Sequence, residues 1–235
     1  MTQELFREDS YQRQCDAVVI VANEDGIVLD RTVFYPEGGG QPGDSGILKL
    51  ADGREIVIAN TRKVGEGVTH VPLEGALVPT VGDAVTAEID WERRYLHMRI
   101  HTALHVLCAH VEGAVTGGSI GAGKGRLDFD IPGERPDKET LTLKLMEVVE
   151  ANHPLTISWI SDAELESNPN LVRTMSVKPP TGSGQVRMIR VGDAVDFQPC
   201  GGTHLKTTGE IGKIAVGKIE NKGKKNRRIN VSLLE

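Results

Sequence analysis

Two kinds of hydrophobic pattern follow one another along this chain, and the change falls near Asp90. Upstream, apolar residues come in short runs: Ala17 to Ala22, Ile27 to Tyr35, Gly46 to Leu50, Glu55 to Ala59 and Ala84 to Ile89. Turn residues divide them at Asn23-Glu24-Asp25-Gly26, Asp52-Gly53 and Gly82-Asp83. Many short strands at this spacing predict a small barrel or sandwich over residues 16 to 89.

Downstream the period lengthens. From Trp91 to about Glu112 there is no Gly or Pro, and apolar residues recur at helical spacing. Asp90 is placed to cap this helix and Gly113 to stop it. Arg126 to Ile131 alternates Leu127 and Phe129 with Asp128 and Asp130, a strand pattern. Residues 137 to 151 read as a second amphipathic helix, ending before His153-Pro154, and Leu155 to Ser161, Gln185 to Val191 and Ile214 to Ile219 as further strands. The expected architecture is a β-barrel domain with a glycine-rich loop over 1–89, then an α+β domain over 90–235 with a long helix on an antiparallel sheet.

Composition narrows the class. With 235 residues and ordinary apolar and charged fractions, the chain reads as a soluble globular protein. No apolar run approaches the roughly 18 residues that cross a bilayer, and the N-terminal residues lack a signal-peptide core, so no membrane partner and a cytoplasmic location are expected. Cys15, Cys108 and Cys200 are too few and too scattered for a disulfide framework. The net charge of −6 argues against indiscriminate nucleic-acid binding. Its distribution is uneven, however. Lys222, Lys224, Lys225, Arg227 and Arg228 crowd together near the C-terminus, either as a solvated, partly mobile tail or as a phosphate-contacting patch.

Candidate chemistry centres on two motifs. His101-Thr102-Ala103-Leu104-His105 puts two imidazoles about one helical turn apart on one face, where both can reach a single ion. Cys200-Gly201-Gly202-Thr203-His204 supplies a thiolate and a third imidazole, provided the segment folds back on itself. Histidine and cysteine ligands favour Zn²⁺, one per chain. The first motif has no internal Glu, which disfavours the H-E-x-x-H peptidase pattern. His97, one turn upstream, is a candidate second contact, with an exposed helix histidine as the simpler account. Gly118-x4-Gly123-Lys124 resembles a phosphate loop only until Gly125 stands where a Ser or Thr should be. We read a flexible connection there and no nucleotide cofactor.

The glycine-rich stretch from Phe34 to Asp44 is harder to dismiss. Three successive glycines lose much entropy on ordering, so an ordered role implies close backbone approach. This makes Gly38, Gly39, Gly40 and Gln41 candidate substrate contacts, with a plain hairpin loop as the alternative. The series Arg31-Thr32-Val33-Phe34-Tyr35-Pro36-Glu37-Gly38-Gly39-Gly40-Gln41, the His-x3-His helix, Arg126-Leu127-Asp128-Phe129-Asp130, Cys200-Gly201-Gly202-Thr203-His204 and Thr208-Gly209-Glu210-Ile211-Gly212 resembles, in order, the alanyl-tRNA editing family called AlaX. Its medium-length members carry such a glycine-rich segment.

The resemblance implies a translation-factor-like barrel followed by the editing domain that alanyl- and threonyl-tRNA synthetases share. It implies a zinc-dependent, free-standing hydrolase that cleaves serine, with glycine as a second case, from wrongly charged tRNA(Ala). Such a site must prefer a hydroxyl-bearing substrate, which a buried polar partner achieves. Thr32, at the matching family position, is the first candidate for that partner, with Thr102 and Thr203 as alternatives. If His101, His105, Cys200 and His204 all bind, the tetrahedron is closed, which is the habit of a structural site. A noncatalytic RNA-binding module with structural zinc, a zinc hydrolase of another ester or amide, and Cys200 as a covalent nucleophile therefore stay open.

Overall fold

The computed structural model describes residues 2–65, 67–131, 133–174 and 184–235. Along the chain, β1 (Gln3–Glu4), β2 (Gln14–Asn23), β3 (Gly26–Leu29), β4 (Arg31–Thr32), β5 (Gly46–Leu50), β6 (Glu55–Val64), β7 (Gly67–Pro72) and β8 (Ala84–Ile89) precede the helix α1 (Trp91–His110). There follow β9 (Ala114–Gly121), β10 (Lys124–Asp130), α2 (Lys138–Glu150), β11 (Leu155–Ser161), α3 (Asp162–Ser167), β12 (Gln185–Val191), β13 (Asp196–Pro199), β14 (Ile214–Asn221) and β15 (Asn226–Leu233). Two compact units result, Met1–Tyr95 and Leu96–Glu235, and their boundary falls inside α1. No described helix is long and apolar enough to cross a membrane.

In the first unit, six antiparallel strands close into a barrel in the order β2-β3-β7-β6-β5-β8. Alternate side chains fill it: Ala17 and Val19 from β2, Leu48 and Leu50 from β5, Ile56 and Ile58 from β6, Val85, Ala87 and Ile89 from β8. The run expected from Ile27 to Tyr35 breaks at Asp30. There the backbone N–H bonds to Val18 O at 3.0 Å and the carboxylate accepts from Val18 N at 2.8 Å. Thr32, Val33 and Phe34 are then buried in succession, so the period of two is lost.

The second unit holds a four-stranded antiparallel sheet, β14-β15-β10-β9, and a three-stranded one, β11-β12-β13. Asp90 caps α1 as expected, accepting from Arg93 N at 3.1 Å. Within the second unit the helix is buried on most sides, through Met98, Ile100, Ala103, Leu104, Val106, Leu107 and Cys108. α2 is capped by Asp137, whose carboxylate accepts from Thr140 N at 2.8 Å, and buries Leu141, Leu145, Val148 and Val149 along one stripe.

Two expectations are corrected here. The stretch from Gly118 to Lys124 is no flexible connection, because β9 and β10 form a regular hairpin through it. Gly125 has its own reason: a Cβ there would lie 2.5 Å from Ile100 Cγ2 and 3.3 Å from Leu104 Cδ1, so its bareness lets α1 press onto β10. The basic segment is no mobile tail either. β15 pairs with both β10 and β14, and Ile229 and Val231 are buried in the core.

Candidate metal centre

The helix period and the strand period converge on one point in the second unit. α1 offers His101 and His105, whose ring centroids lie 5.3 Å apart. From the other side, β13 and the residue that follows it carry Asp196, Gln198 and Cys200 at intervals of two, on one strand face. The ladder continues to the cysteine, since Cys200 N bonds to Arg187 O at 3.0 Å. The segment then turns back, bringing the His204 ring within 4.2 Å of His101 and 4.6 Å of His105.

The four donor atoms lie within 4.8 Å of one another. Cys200 Sγ is 3.5 Å from His101 Nε2 and 3.2 Å from His204 Nε2. A tetrahedral ion with bonds of about 2.0–2.1 Å to nitrogen and about 2.3 Å to sulfur requires ligand-to-ligand edges of about 3.3–3.6 Å. His101, His105, Cys200 and His204 therefore form a cluster able to coordinate a metal ion, and His204 folds back far enough to take part.

Protonation suits that role. Burial of the Cys200 thiol opposes its ionisation, but the neighbouring His101 and the hydrogen bonds that His101 and His105 make to the sulfur outweigh it and hold the pKa well below the ordinary thiol value. Gly202 N, 3.4 Å from the sulfur, adds a donor to the thiolate. His204 is kept neutral by burial and by the neighbouring His101. At His105 burial acts the same way, yet hydrogen bonds with Asp196 and Cys200 prevail and carry its pKa up to about 10. A metal must displace that proton to bind.

The residues behind the ligands are ordered by hydrogen bonds. Arg187, buried on β12, donates from Nη1 to Cys200 O at 2.8 Å and to Gly202 O at 2.9 Å, which fixes the turn of the cysteine segment. His105 Nδ1 donates to Asp196 Oδ2 at 2.7 Å. His204 Nδ1 lies 3.2 Å from Thr102 Oγ1, which also accepts from Leu205 N at 3.3 Å. Thr102 thus serves the ligand beside it, and Thr203 is buried within the turn between two ligands. His97 is buried, which overturns its simple account as an exposed helix histidine.

In the first unit, Thr32 is fully buried and hydrogen-bonded to His70, with Oγ1 to Nε2 at 2.8 Å. His70 Nδ1 must donate to Ile27 O at 2.9 Å, since a carbonyl only accepts. Nε2 of the neutral ring is then the acceptor, and the Thr32 hydroxyl donates to it. Burial, opposed by the Ile27 hydrogen bond and the Asp44 charge, lowers the His70 pKa to about 4 and keeps the ring neutral. Thr32 Oγ1 also accepts from Phe34 N at 3.0 Å.

The glycine-rich segment is a closed loop. Its tip pairs Gly38 with Gln41 in both directions, at 3.1 and 2.9 Å, and Gly39 and Gly40 between them take φ of +58° and +83°, the backbone of a tight hairpin turn. Gly39 and Gly40 are exposed, Gly38 is half-buried and Gln41 is buried.

Of the C-terminal basic residues, Lys222, Lys224 and Lys225 are exposed at the β14–β15 turn. Lys222 pairs with Glu220 at 3.1 Å. Arg227 Nη1 reaches Gly223 O and Asn226 O, each at 3.2 Å. Arg228 makes a two-pronged pair with Asp128, from Nε at 2.8 Å and Nη2 at 2.9 Å. Sequence reasoning missed Asp196, Gln198, Arg187 and His70. The first two carried a signal, since counting back in twos from Cys200 along a strand reaches both; the others carried none.

Residues 186–230 match the second additional domain of threonyl and alanyl tRNA synthetases, and residues 5–93 match the family described as tRNA synthetases class II (A). Alanyl-tRNA editing protein AlaX-M of Methanosarcina acetivorans is 39% identical over 246 aligned positions, covering 100% of both chains. That of Saccharolobus solfataricus is 33% identical, covering 97% of this chain and 98% of its own. An alanine–tRNA ligase of Pyrobaculum arsenaticum is 39% identical over 93% of this chain but only 25% of the ligase. With similarity running end to end over the AlaX-M proteins and the four-ligand cluster assembled, the chain belongs to the AlaX family of free-standing alanyl-tRNA editing proteins.

Proposed function

We propose that this protein hydrolyses the aminoacyl ester of tRNA(Ala) wrongly charged with serine, and with glycine as a second substrate, using one Zn²⁺ per chain. The observation that carries the reading is the His101, His105, Cys200 and His204 cluster, in a chain matched over its whole length by AlaX-M proteins. An alanine pocket cannot strongly exclude glycine, which lacks only a methyl, or serine, which adds only a hydroxyl; a second, hydrolytic site is the remedy.

Zinc, when bound, would supply Lewis-acid polarisation at the reacting ester. The chain's own part is to gather the four donors, to keep Cys200 as thiolate and His204 neutral, and to fix the cysteine turn through Arg187. The thiolate's position among three imidazoles suits it to ligation better than to attack on the ester.

For the choice of serine over alanine we retain Thr32. Its proton is committed to His70 and one lone pair to Phe34 N–H, so it keeps acceptor capacity that a serine hydroxyl can use and an alanine methyl cannot. Because Thr32 is fully buried, substrate reaches it only when covering residues move. The exposed Gly39–Gly40 turn, with Gly38 and Gln41 closing it, is our candidate contact for the substrate end, and Lys222, Lys224, Lys225 and Arg227 for the tRNA backbone, with Arg228 set apart by its pair with Asp128.

The test is deacylation of Ser-tRNA(Ala), Gly-tRNA(Ala) and Ala-tRNA(Ala) by the zinc-loaded protein. Serine release well above buffer, with alanyl-tRNA spared, is the expected outcome. No acceleration with any of the three would leave a noncatalytic RNA-binding module.

A further inference from the structure

Two of the ligands, His105 and His204, meet different partners at Nδ1. His105 Nδ1 donates to a carboxylate at 2.7 Å, and the Asp196 side chain that accepts it is only 5% exposed. His204 Nδ1 has a neutral hydroxyl, Thr102 Oγ1, at 3.2 Å. The carboxylate is itself held: Gln198 Nε2 donates to the same Asp196 Oδ2 at 2.8 Å. The amide nitrogen also lies 3.1 Å from His105 Nδ1, but two donors do not bond, so the carboxylate is what joins them.

Strand periodicity makes this arrangement. Asp196, Gln198 and Cys200 are spaced by two, so the strand that delivers the thiolate also delivers the carboxylate and its holder to the same face. Phe197 goes the other way, under the Arg190 guanidinium at 3.9 Å. Held by a thiolate and three imidazoles freed of their extra protons, a divalent ion would keep one positive charge, which the Asp196 carboxylate would balance across the His105 ring.

We propose that Asp196, held by Gln198, is a positioning residue that anchors His105 as a ligand of the metal. It fixes the tautomer that turns Nε2 toward the ion and raises the donor strength of that nitrogen, whereas the hydroxyl of Thr102 gives His204 orientation without charge. This inference rests on the cluster being a metal site and is independent of which aminoacyl-tRNA is cleaved.

The experiment is competition for Zn²⁺ between the full-length protein and a chromophoric chelator, with the ligand-field spectrum of the Co²⁺-loaded protein as second readout. Asp196→Ala should weaken zinc binding by about 10- to 100-fold. Asp196→Asn, which can still accept from Nδ1 but has no charge, should fall between it and the unaltered chain, and Thr102→Val should lose less than Asp196→Ala. Gln198→Leu, which leaves every ligand and the carboxylate in place, should give a smaller loss with an altered Co²⁺ spectrum, and serves if Asp196→Ala does not fold. Zinc affinity within twofold of the unaltered chain and an unchanged spectrum, in Asp196→Ala or, failing that, in Gln198→Leu, would overturn the role of Asp196 alone. Failure of the unaltered chain to bind Zn²⁺ or Co²⁺ would overturn the metal reading and this inference together. Normal metal binding without deacylation would sink the proposed function while leaving Asp196 in place.

Discussion

Arg94 and Asp44 form an ion pair with both side chains out of solvent. Arg94 Nε lies 3.0 Å from Oδ1 and 2.9 Å from Oδ2 of the carboxylate, and the guanidinium also donates to Ser10 O at 3.0 Å and Val33 O at 2.7 Å. Asp44 in turn accepts from Tyr35 N at 2.6 Å, which closes the base of the glycine-rich loop. Arg94→Met would leave a buried carboxylate without its counter-charge, at a cost of about 3–5 kcal/mol. A fall of that order in the unfolding free energy, read from guanidinium denaturation as a lower midpoint, is expected, with local proteolysis of residues 35–44. Lys49→Ala, at the exposed pair with Glu88, should leave the midpoint where it was.

His70 predicts a pH dependence. Its folded pKa, about 4, lies below its ordinary 6.5, so the neutral ring is the form the fold accepts. As pH falls below 6.5 the unfolded chain takes up a proton that folded His70 refuses, and stability is lost until pH reaches about 4, where both states are charged. The gap of about 2.5 units corresponds to about 3 kcal/mol. Replacing His70 by Gln removes this titration whatever it does to overall stability. The difference between wild-type and His70→Gln stability should therefore slope between pH 6.5 and 4 and flatten above; parallel curves across that range would count against a buried neutral ring.

What could be read in the sequence was set by local periodicity. β8, β11 and β12 end where the alternation ends, and α1 starts at its Asp cap, because those features are written in neighbouring residues. His101, His105, Cys200 and His204 were legible because ligand spacing is itself local. β9 was not, since Gly117 and Gly118 dilute its pattern, nor was β15, whose alternation of Ile229 and Val231 was masked by preceding charge. Arg228 looked like a phosphate contact, and its Asp128 partner lies 100 residues away in sequence. The His70–Thr32 and Arg187–Cys200 bonds join residues with no sequence relation at all.

Gly125 tests how closely α1 must sit on its sheet. Gly125→Ala would push a methyl to within 2.5 Å of Ile100 Cγ2, on the helix that carries His101 and His105. Overpacking of this kind costs about 1–3 kcal/mol, and the helix shift it forces should also weaken zinc binding. Gly123→Ala, two residues earlier, meets nothing within 4 Å and suffers only its φ of +75°, so it should lower stability slightly and leave zinc affinity unchanged. Equal zinc affinity in both variants would show that the metal ligands do not depend on this contact.

The basic C-terminal residues divide by their partners, and the salt dependence of tRNA binding can separate them. Lys224 and Lys225 are exposed at the β14–β15 turn, whereas Arg228 is neutralised by Asp128, which Arg126 Nη1 also approaches at 2.6 Å. A lysine that contacts a phosphate releases a counterion, contributing a slope of about −0.7 to −0.9 in log K against log salt. Lys224→Gln with Lys225→Gln should flatten the slope for tRNA(Ala) while the unfolding midpoint stays put. Arg228→Gln should do the reverse, leaving the slope nearly unaltered and lowering the midpoint, because it breaks a cross-strand pair between β10 and β15. If Arg228→Gln flattens the slope as much as the lysine pair does, its guanidinium reaches phosphate in spite of Asp128, and the division between structural and RNA-contacting charges is wrong.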